Sequence, residues 1–330
     1  MTRLHDAMTD ISTATSMQRA RPRKFADPSL TADGKIRASV SLARLRTLWF
    51  NTGSLCNLAC NHCYVDSSPT NDQLAYLTKD DVAMILAQLD DNGDETTELG
   101  YTGGEPFMNP DFITILGDGL ARGYHVLVLT NAMRPMMKCA NGLLELQRRW
   151  GAQLTLRVSL DHYGQALHDR ERGARAWEQT LPGLDWLCAN GFRVHIAGRT
   201  CWNEDEASLR RGFAALFATR GYAIDAWNPR KLVLFPEMDE AADVAEITTA
   251  CWDILGVDPA GLMCAGSRMV LKRKGAVRAT FVPCTLLPND PAFDMGERLA
   301  GARGPVALNH PHCARFCVLG GGSCGGGTTG

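Results

Sequence analysis

The sequence predicts an α/β fold, a partial (β/α)6 barrel followed by a small cysteine-rich C-terminal extension that contains a β-hairpin. Three observations carry this expectation. From about residue 44, short β-prone runs alternate with stretches of helical periodicity. Residues able to do chemistry fall directly after those runs, at the end of a parallel sheet where ligands bind. After about residue 255 the alternation stops, and Cys264, Cys284, Cys313, Cys317 and Cys324 crowd what remains.

The elements read in order as follows. Residues 1–43 are polar, with a basic stretch from Arg19 to Lys24, and a solvated N-terminal tail is expected there. Residues 44–255 hold six β-prone runs: Thr47–Asn51, Glu98–Thr102, His125–Thr130, Leu154–Leu160, Val194–Ala197 and Lys231–Phe235. Helical periodicity occupies Thr78–Asp91, Asp111–Arg122, Pro135–Trp150, Trp177–Asn190 and Glu204–Arg220 between them. Thr78 before Lys79-Asp80-Asp81 reads as an N-cap, and Gly123, Gly191 and Gly221 as helix ends. Such alternation implies parallel strands with right-handed crossovers. In residues 256–330, Met269–Lys272 and Ala276–Val282 flank Arg273-Lys274-Gly275 as a hairpin. A segment this short and this poor in apolar periodicity needs a staple, which its cysteines could provide.

Composition narrows the function. The chain of 330 residues is 45% hydrophobic and 21% charged, ordinary for a globular protein. Lys plus Arg number 34 against 36 Asp plus Glu, so charge makes no case for a nucleic-acid partner. No apolar run reaches the ~18 residues of a membrane span, and the first residues lack a secretory apolar region, so a cytoplasmic protein is expected. Twelve cysteines in a reducing compartment argue for bound metal rather than disulfides. Cys139, Cys188, Cys201 and Cys251 lie apart from the clusters and read as small buried hydrophobes, Cys201 close to the end of the fifth strand.

The first strand runs into Cys56-Asn57-Leu58-Ala59-Cys60-Asn61-His62-Cys63. Three thiolates from one loop suit an iron–sulfur cube with one open iron. The alternative is a structural zinc completed by His62 or a remote cysteine. The second strand runs into Gly103-Gly104-Glu105-Pro106, where two glycines allow close backbone approach of a ligand and Glu105 can accept from an ammonium group. Asn131, Ser159 with Asp161, Arg199 and Glu237 follow the remaining strands.

With these residues in place the chain resembles the radical S-adenosylmethionine superfamily. The resemblance covers about residues 44–330 and rests on the C-x3-C-x2-C loop of Cys56, Cys60 and Cys63, with His62 at the usual aromatic position. It implies that these cysteines bind a [4Fe-4S] cluster whose fourth iron chelates S-adenosylmethionine. It further implies that Gly103, Gly104, Glu105 and Pro106 hold the methionine amino group, that Ser159 and Asp161 contact the ribose, and that Arg199 meets the carboxylate. The activity implied is reductive cleavage of S-adenosylmethionine to a 5′-deoxyadenosyl radical, hydrogen abstraction, and oxidation or rearrangement of a substrate. A one-electron donor such as flavodoxin or ferredoxin is implied as partner.

The stretch from Ser159 through His168-Asp169-Arg170-Glu171-Arg172 to Leu184 is similar to the subgroup of peptide maturases and tetrapyrrole-modifying enzymes, whose C-terminal extension is called SPASM or twitch. His168, Asp169, Arg170 and Arg172 read either as substrate anchors or as a network fixing their loop. The resemblance implies one auxiliary [4Fe-4S] cluster on Cys264, Cys284, Cys313 and either Cys317 or Cys324, as electron acceptor, substrate ligand or staple. The wide spacing from Gly275 to Cys284 departs from the subgroup's pattern. His310 and His312 could assist the cluster or simply pack beside it. A small molecule, or a ribosomal peptide delivered by another protein, is the expected substrate. The alternative is a redox-sensing, electron-transfer or zinc-stabilised protein, which leaves Gly103–Pro106 and Ser159–Asp161 unexplained.

Overall fold

The computed structural model describes residues 23–91, 96–236 and 243–321. After the short strand β1 (Ser39–Val40) come β2 (Thr47–Asn51), α1 (Lys79–Asp91), β3 (Glu98–Thr102), α2 (Phe112–Ala121) and β4 (His125–Thr130). Next are α3 (Arg134–Lys138), α4 (Ala140–Trp150), β5 (Leu154–Ser159), α5 (Gln165–Arg172), α6 (Ala176–Ala189), β6 (Arg193–Arg199), α7 (Glu206–Arg220) and β7 (Leu232–Phe235). The C-terminal part holds α8 (Cys251–Leu255), α9 (Met263–Gly266), β8 (Ser267–Leu271), β9 (Thr280–Val282) and β10 (Val306–Ala307), and ends in a π-helical turn, Cys313–Leu319.

One sheet runs β7-β6-β5-β4-β3-β2-β8-β9, all parallel except β9. The six β/α units are those the periodicity predicts. The hairpin is present too, with Met269 opposite Val282 and Leu271 opposite Thr280. It is not a free-standing unit, because β8 docks parallel on β2 and extends the barrel sheet.

Side chains alternate along each strand, so both faces of this sheet must be covered. Leu48, Phe50, Leu99, Tyr101, Val126, Val128, Leu156 and Val158 pack outward against the helices. Their neighbours Trp49, Leu127 and Met269 point the other way and join a second core. That core is completed by Leu262, Met263, Leu286, Leu287, Phe316 and Val318 from the C-terminal segment and by Ala38 and Val40 from the N-terminal one.

The polar segment from Arg23 to residue 43 is exposed along most of its length but is tied down at Thr31, Arg37, Ala38 and Val40, which are buried, and residues 1–22 lie outside the described residues. Its anchor is Arg37, whose guanidinium is wholly buried, pairs with Glu246 and donates to the carbonyls of Asp27, Leu30 and Leu308. Glu246 also accepts the amides of Phe25 and Ala32, so both buried charges are fully hydrogen-bonded. The pairing of β1 with β10 extends the same tie. Of the scattered cysteines, Cys139 and Cys188 pack partly against the outer core and Cys251 against the inner one. Among the described residues no helix is long and apolar enough to cross a membrane.

Trp49 lies flat over β3, and a Cβ on Gly100 would fall inside its ring. Gly100→Ala is therefore expected to destabilise the fold by about 1–3 kcal/mol through overpacking, measured by denaturant unfolding. Unchanged stability would show that the inner core yields where close packing says it cannot.

Candidate functional site

The loop after β2 is built before any ligand arrives. Ser54 Oγ donates to the Asn71 carbonyl at 2.9 Å and accepts the Leu74 amide at 3.0 Å, and the Cys56 amide donates to the Ser68 carbonyl at 3.1 Å. Cys56 is buried, while Cys60 and Cys63 are half-buried. The Leu58 amide points at the Cys56 sulfur and the Ser67 amide at the Cys63 sulfur, both at 3.4 Å. Burial pushes the Cys56 thiol up to about 12, against the Leu58 amide, and also raises Cys60, which Arg172 pulls down.

The Gly103–Pro106 turn packs on that loop. The Gly104 amide donates to the Gly53 carbonyl at 2.8 Å and the Glu105 amide to the Leu55 carbonyl at 3.1 Å. Gly103 has φ +137, and its Cβ would come within 2.6 Å of the Gly53 oxygen. A Cβ on Gly104 would overlap the Leu55 carbonyl. The close backbone approach that these glycines allow is therefore made by the cysteine loop itself. The Glu105 carboxylate, fully buried, accepts from Thr130 Oγ1 at 2.8 Å, the Asn131 amide at 2.9 Å and the Phe107 amide at 3.3 Å. Burial pushes it up to about 7 in spite of these donors. Pro106 opens a short 3-10 turn capped by Glu105, so the side chain that sequence offers to an ammonium ion serves first as a cap. Helix α6 supports the arrangement from behind: Gly183 lies against the Ala132 carbonyl, one residue beyond Asn131.

The other wall is ionic. Asp161 takes both Nε and Nη2 of Arg172, at 2.7 and 3.1 Å, and has Arg199 Nε at 3.7 Å. Burial alone would raise the Asp161 carboxyl, but Arg172 and Arg199 overcome it and hold it below the ordinary value. Arg199 Nη2 donates to the His62 carbonyl at 2.6 Å, and its Nη1 lies 3.6 Å from Glu171, buried and without a hydrogen bond. His62 Nδ1 meets Glu171 at 2.7 Å, while the Asn61 amide and side chain donate to the carbonyls of Glu171 and Arg170. The last turn of α5 thus grips the cysteine loop. His168 Nδ1 accepts the Asp161 amide, Asp169 caps Trp177, and Arg170 stacks over Trp202. Of the two readings of that motif, these contacts form a network fixing the loop.

A cavity of about 550 Å³, counted with its open mouth, lies where these walls meet. Ser159, Asp161, Arg172 and Arg199 line one side. Tyr64, Leu129, Phe235, Pro236, Leu286 and Phe316 line the other. Apart from Ser159, Asp161, Arg172 and Arg199, these residues escaped the sequence reading. Their one local signal is adjacency, since Tyr64 follows Cys63 and Phe316 precedes Cys317.

The C-terminal segment brings Cys264, Cys284 and Cys313 into one buried core, with Cys317 half-buried beside it. Cys324 and Glu237 lie outside the described residues. Burial pushes the Cys264 thiol up to about 11 and Cys313 up to about 12. Beside Cys264 sits Arg268, wholly buried, donating to the carbonyls of Ala302, Cys264, Ser267 and Gly304. Among the described residues no carboxylate pairs with it, and after burial its largest electrostatic neighbours are Cys264 and Cys284.

Among the described residues, no three His, Cys, Asp or Glu side chains converge as the ligands of one metal ion would. Each thiolate of an iron–sulfur cube binds a different iron, so such thiols stand further apart than the ligands of one zinc. Because Cys56, Cys60 and Cys63 do not converge on one point in this way, their donor set fits a cluster better than a single zinc.

The comparisons agree with this chemistry. Residues 50–206 match the family model described as the radical SAM superfamily. Over 143 residues the chain is 33% identical to the antilisterial bacteriocin subtilosin biosynthesis protein AlbA of Bacillus subtilis, covering 43% of this chain and 30% of that protein. It is 24% identical over 158 residues to the GTP 3',8-cyclase of Shewanella denitrificans, covering 46% of this chain and 44% of the cyclase. The matches therefore span less than half the length of these curated relatives. The fold is similar to that of Streptococcus suis SuiB bound to S-adenosylmethionine, with a TM-score of 0.56 at 12% identity over 77% of this chain and 63% of that one. SuiB bound to its precursor peptide SuiA gives 0.54 at 13% identity, covering 78% and 63%. Fold, thiol loop and family model converge on one conclusion: the chain carries a radical SAM superfamily domain, spanning residues 50–206.

Proposed function

We propose that this chain is a radical SAM oxidoreductase that modifies a peptide, with its catalytic barrel in residues 44–255 and an auxiliary-cluster segment in residues 256–330. The observation that carries the proposal is the position of the three thiols. Cys56, Cys60 and Cys63 share one loop, locked onto the Gly103–Pro106 turn and gripped by Arg199, which also lines the cavity. When bound on these thiols, a [4Fe-4S] cluster supplies the electron that turns S-adenosylmethionine into a hydrogen-abstracting radical source.

The chain's own residues would bind, orient and shield. The Ser159 hydroxyl lines the cavity and is placed to take a ribose hydroxyl, whereas Asp161 acts through Arg172. Arg199, held by the His62 carbonyl, Asp161 and Glu171, would direct its charge toward an anionic group such as the methionine carboxylate. Glu105 orders the turn whose backbone faces the loop. Leu129, Phe235 and Phe316 exclude water from the reacting carbon.

In the C-terminal segment, Cys264, Cys284 and Cys313, with Cys317 or Cys324, would hold the auxiliary [4Fe-4S] cluster that accepts an electron from the substrate. Arg268 supports this, because a buried guanidinium served only by carbonyls favours an anionic centre beside it. A flavodoxin or ferredoxin would supply the first electron, in the cytoplasm. AlbA is named for bacteriocin biosynthesis and SuiB was solved with a precursor peptide, which favours a peptide over a nucleotide.

Replacing Cys56, Cys60 or Cys63 by Ala is expected to abolish formation of 5′-deoxyadenosine from S-adenosylmethionine by anaerobically reduced protein. The same variants should lose the EPR change that S-adenosylmethionine induces in the wild type, and persistence of either signal would sink the cluster assignment. Cys264→Ala and Cys284→Ala should lower iron per chain yet keep the S-adenosylmethionine-sensitive signal. Equal iron in both variants and wild type would remove the auxiliary cluster. Because its Cβ would overlap Leu55, Gly104→Ala should displace the loop and reduce iron at the first site. Gly117→Ala, whose Cβ meets only Leu146 at 3.6 Å, is the matched control and should retain its iron.

A further inference from the structure

We propose that the group presented for reaction is a non-polar side chain of the peptide, chosen by an apolar wall where Phe316 and Leu286 of the C-terminal segment meet Phe235 and Leu129 of the barrel. This rests on the radical reading above and adds the substrate class together with the residues that select it.

The wall is a built surface. Phe235, at the end of the edge strand β7, stacks on Phe316 with ring centroids 5.7 Å apart and planes 24° from parallel. Phe316 is buried in the π-helical turn between Cys313 and Cys317, and Leu286 is buried two residues beyond Cys284. Both line the same cavity as Phe235 and Leu129. An apolar side chain entering there gives up water on the face it lays against this wall, worth about 25 cal/mol per Å² buried. A charged side chain would lose its hydration and meet no compensating partner on that wall.

The opposite wall does not reverse this preference. Its cations, Arg172 and Arg199, face the anions Asp161 and Glu171, at distances of 2.7 to 3.7 Å, so the four charges cancel. A nucleoside triphosphate needs several uncommitted cations to offset its phosphates. The two guanidinium groups at the cavity are both engaged with Asp161 or Glu171, so no set of uncommitted cations is left for phosphates. This separates the two chemistries that the sequence relatives suggest, and it places selection on the C-terminal segment.

The test uses the full chain, anaerobically reconstituted, with the neutral apolar fluorophore N-phenyl-1-naphthylamine as probe. Competitors are the α-amides of N-acetylated leucine, phenylalanine, aspartate and lysine, and GTP. The leucine and phenylalanine amides are expected to displace the probe at about tenfold lower concentration than the charged amides or GTP. Phe316→Ala and Leu286→Ala should each weaken probe binding roughly fivefold, and Phe316→Leu should restore most of it. Leu286→Lys should make the aspartate amide a better competitor than the lysine amide, a reversal that a merely structural role would not produce. If Phe316→Ala does not fold, the two Leu286 variants carry the test. Equal competition by GTP or the lysine amide, or a probe indifferent to the alanine variants, overturns the proposal. Cleavage of S-adenosylmethionine is measured on the same samples. Its absence beside selective probe displacement removes the radical reading and leaves the wall, whereas cleavage beside unselective displacement removes the wall alone.

Discussion

A parallel sheet that does not close on itself has an inner face with nothing to cover it, and the rest of this molecule is arranged around that constraint. Strand alternation sends Trp49, Leu127 and Met269 inward as surely as it sends Phe50, Val128 and Val270 outward. Helices cover the outer face. The inner face is covered by chain from both ends, residues 37–40 and the stretch from Leu262 to Val318. The Arg37–Glu246 pair fixes one covering segment and the docking of β8 on β2 fixes the other. What the covering leaves open, at the carboxyl end of the strands, is the cavity. Its mixed character follows directly, since barrel loops contribute the ionic wall and the covering segment contributes much of the apolar one.

The buried charges divide into two kinds. On the ionic wall beside the cysteine loop each arginine faces a carboxylate, Arg172 with Asp161 and Arg199 with Asp161 and Glu171, and His62 bonds to Glu171. Such a closed set costs little in net field and holds geometry, here the path of the loop between Cys60 and Cys63. Arg268 is of the other kind. Its carbonyl partners satisfy its donors but not its charge, so the field it creates falls on Cys264 and Cys284. A protein that could have placed Met or Leu there keeps a cation instead, beside the thiols with most to gain from one.

Much of this was legible in the sequence because it is local. Period-two runs marked Thr47–Asn51, Glu98–Thr102 and His125–Thr130 with the bounds the structure gives them, and Leu154–Leu160 missed only by its last residue. Turn chemistry marked Gly191 and Gly221, both at positive φ. The thiol loop and the Gly-Gly-Glu-Pro turn could be placed together because both follow predicted strands. What sequence could not reveal depends on pairing across long separations. Nothing near residue 267 says that β8 will lie beside Thr47, and nothing near Arg37 names Glu246. Composition hides the anchor within residues 23–43, since Arg37, a charged residue buried against a distant partner, reads like one facing water. The donors to Glu105, from Thr130 and Asn131, were hidden for the same reason, since they arrive from the end of the next strand.

The packing also bears on what the C-terminal thiols are for. A short segment with no core of its own would need a metal to fold, as small metal-stapled domains do. This segment has a core, borrowed from the barrel. Leu262, Leu271, Leu286, Leu287, Phe316 and Val318 are all buried, each burial worth about 1.5–3 kcal/mol in area bookkeeping. Fixing the backbone of these residues takes back roughly 1–2 kcal/mol apiece, and β8 adds a full set of strand hydrogen bonds to β2. These apolar contacts and the β8–β2 pairing share the work of holding the segment, so a metal bound by Cys264, Cys284 and Cys313 need not be its sole staple.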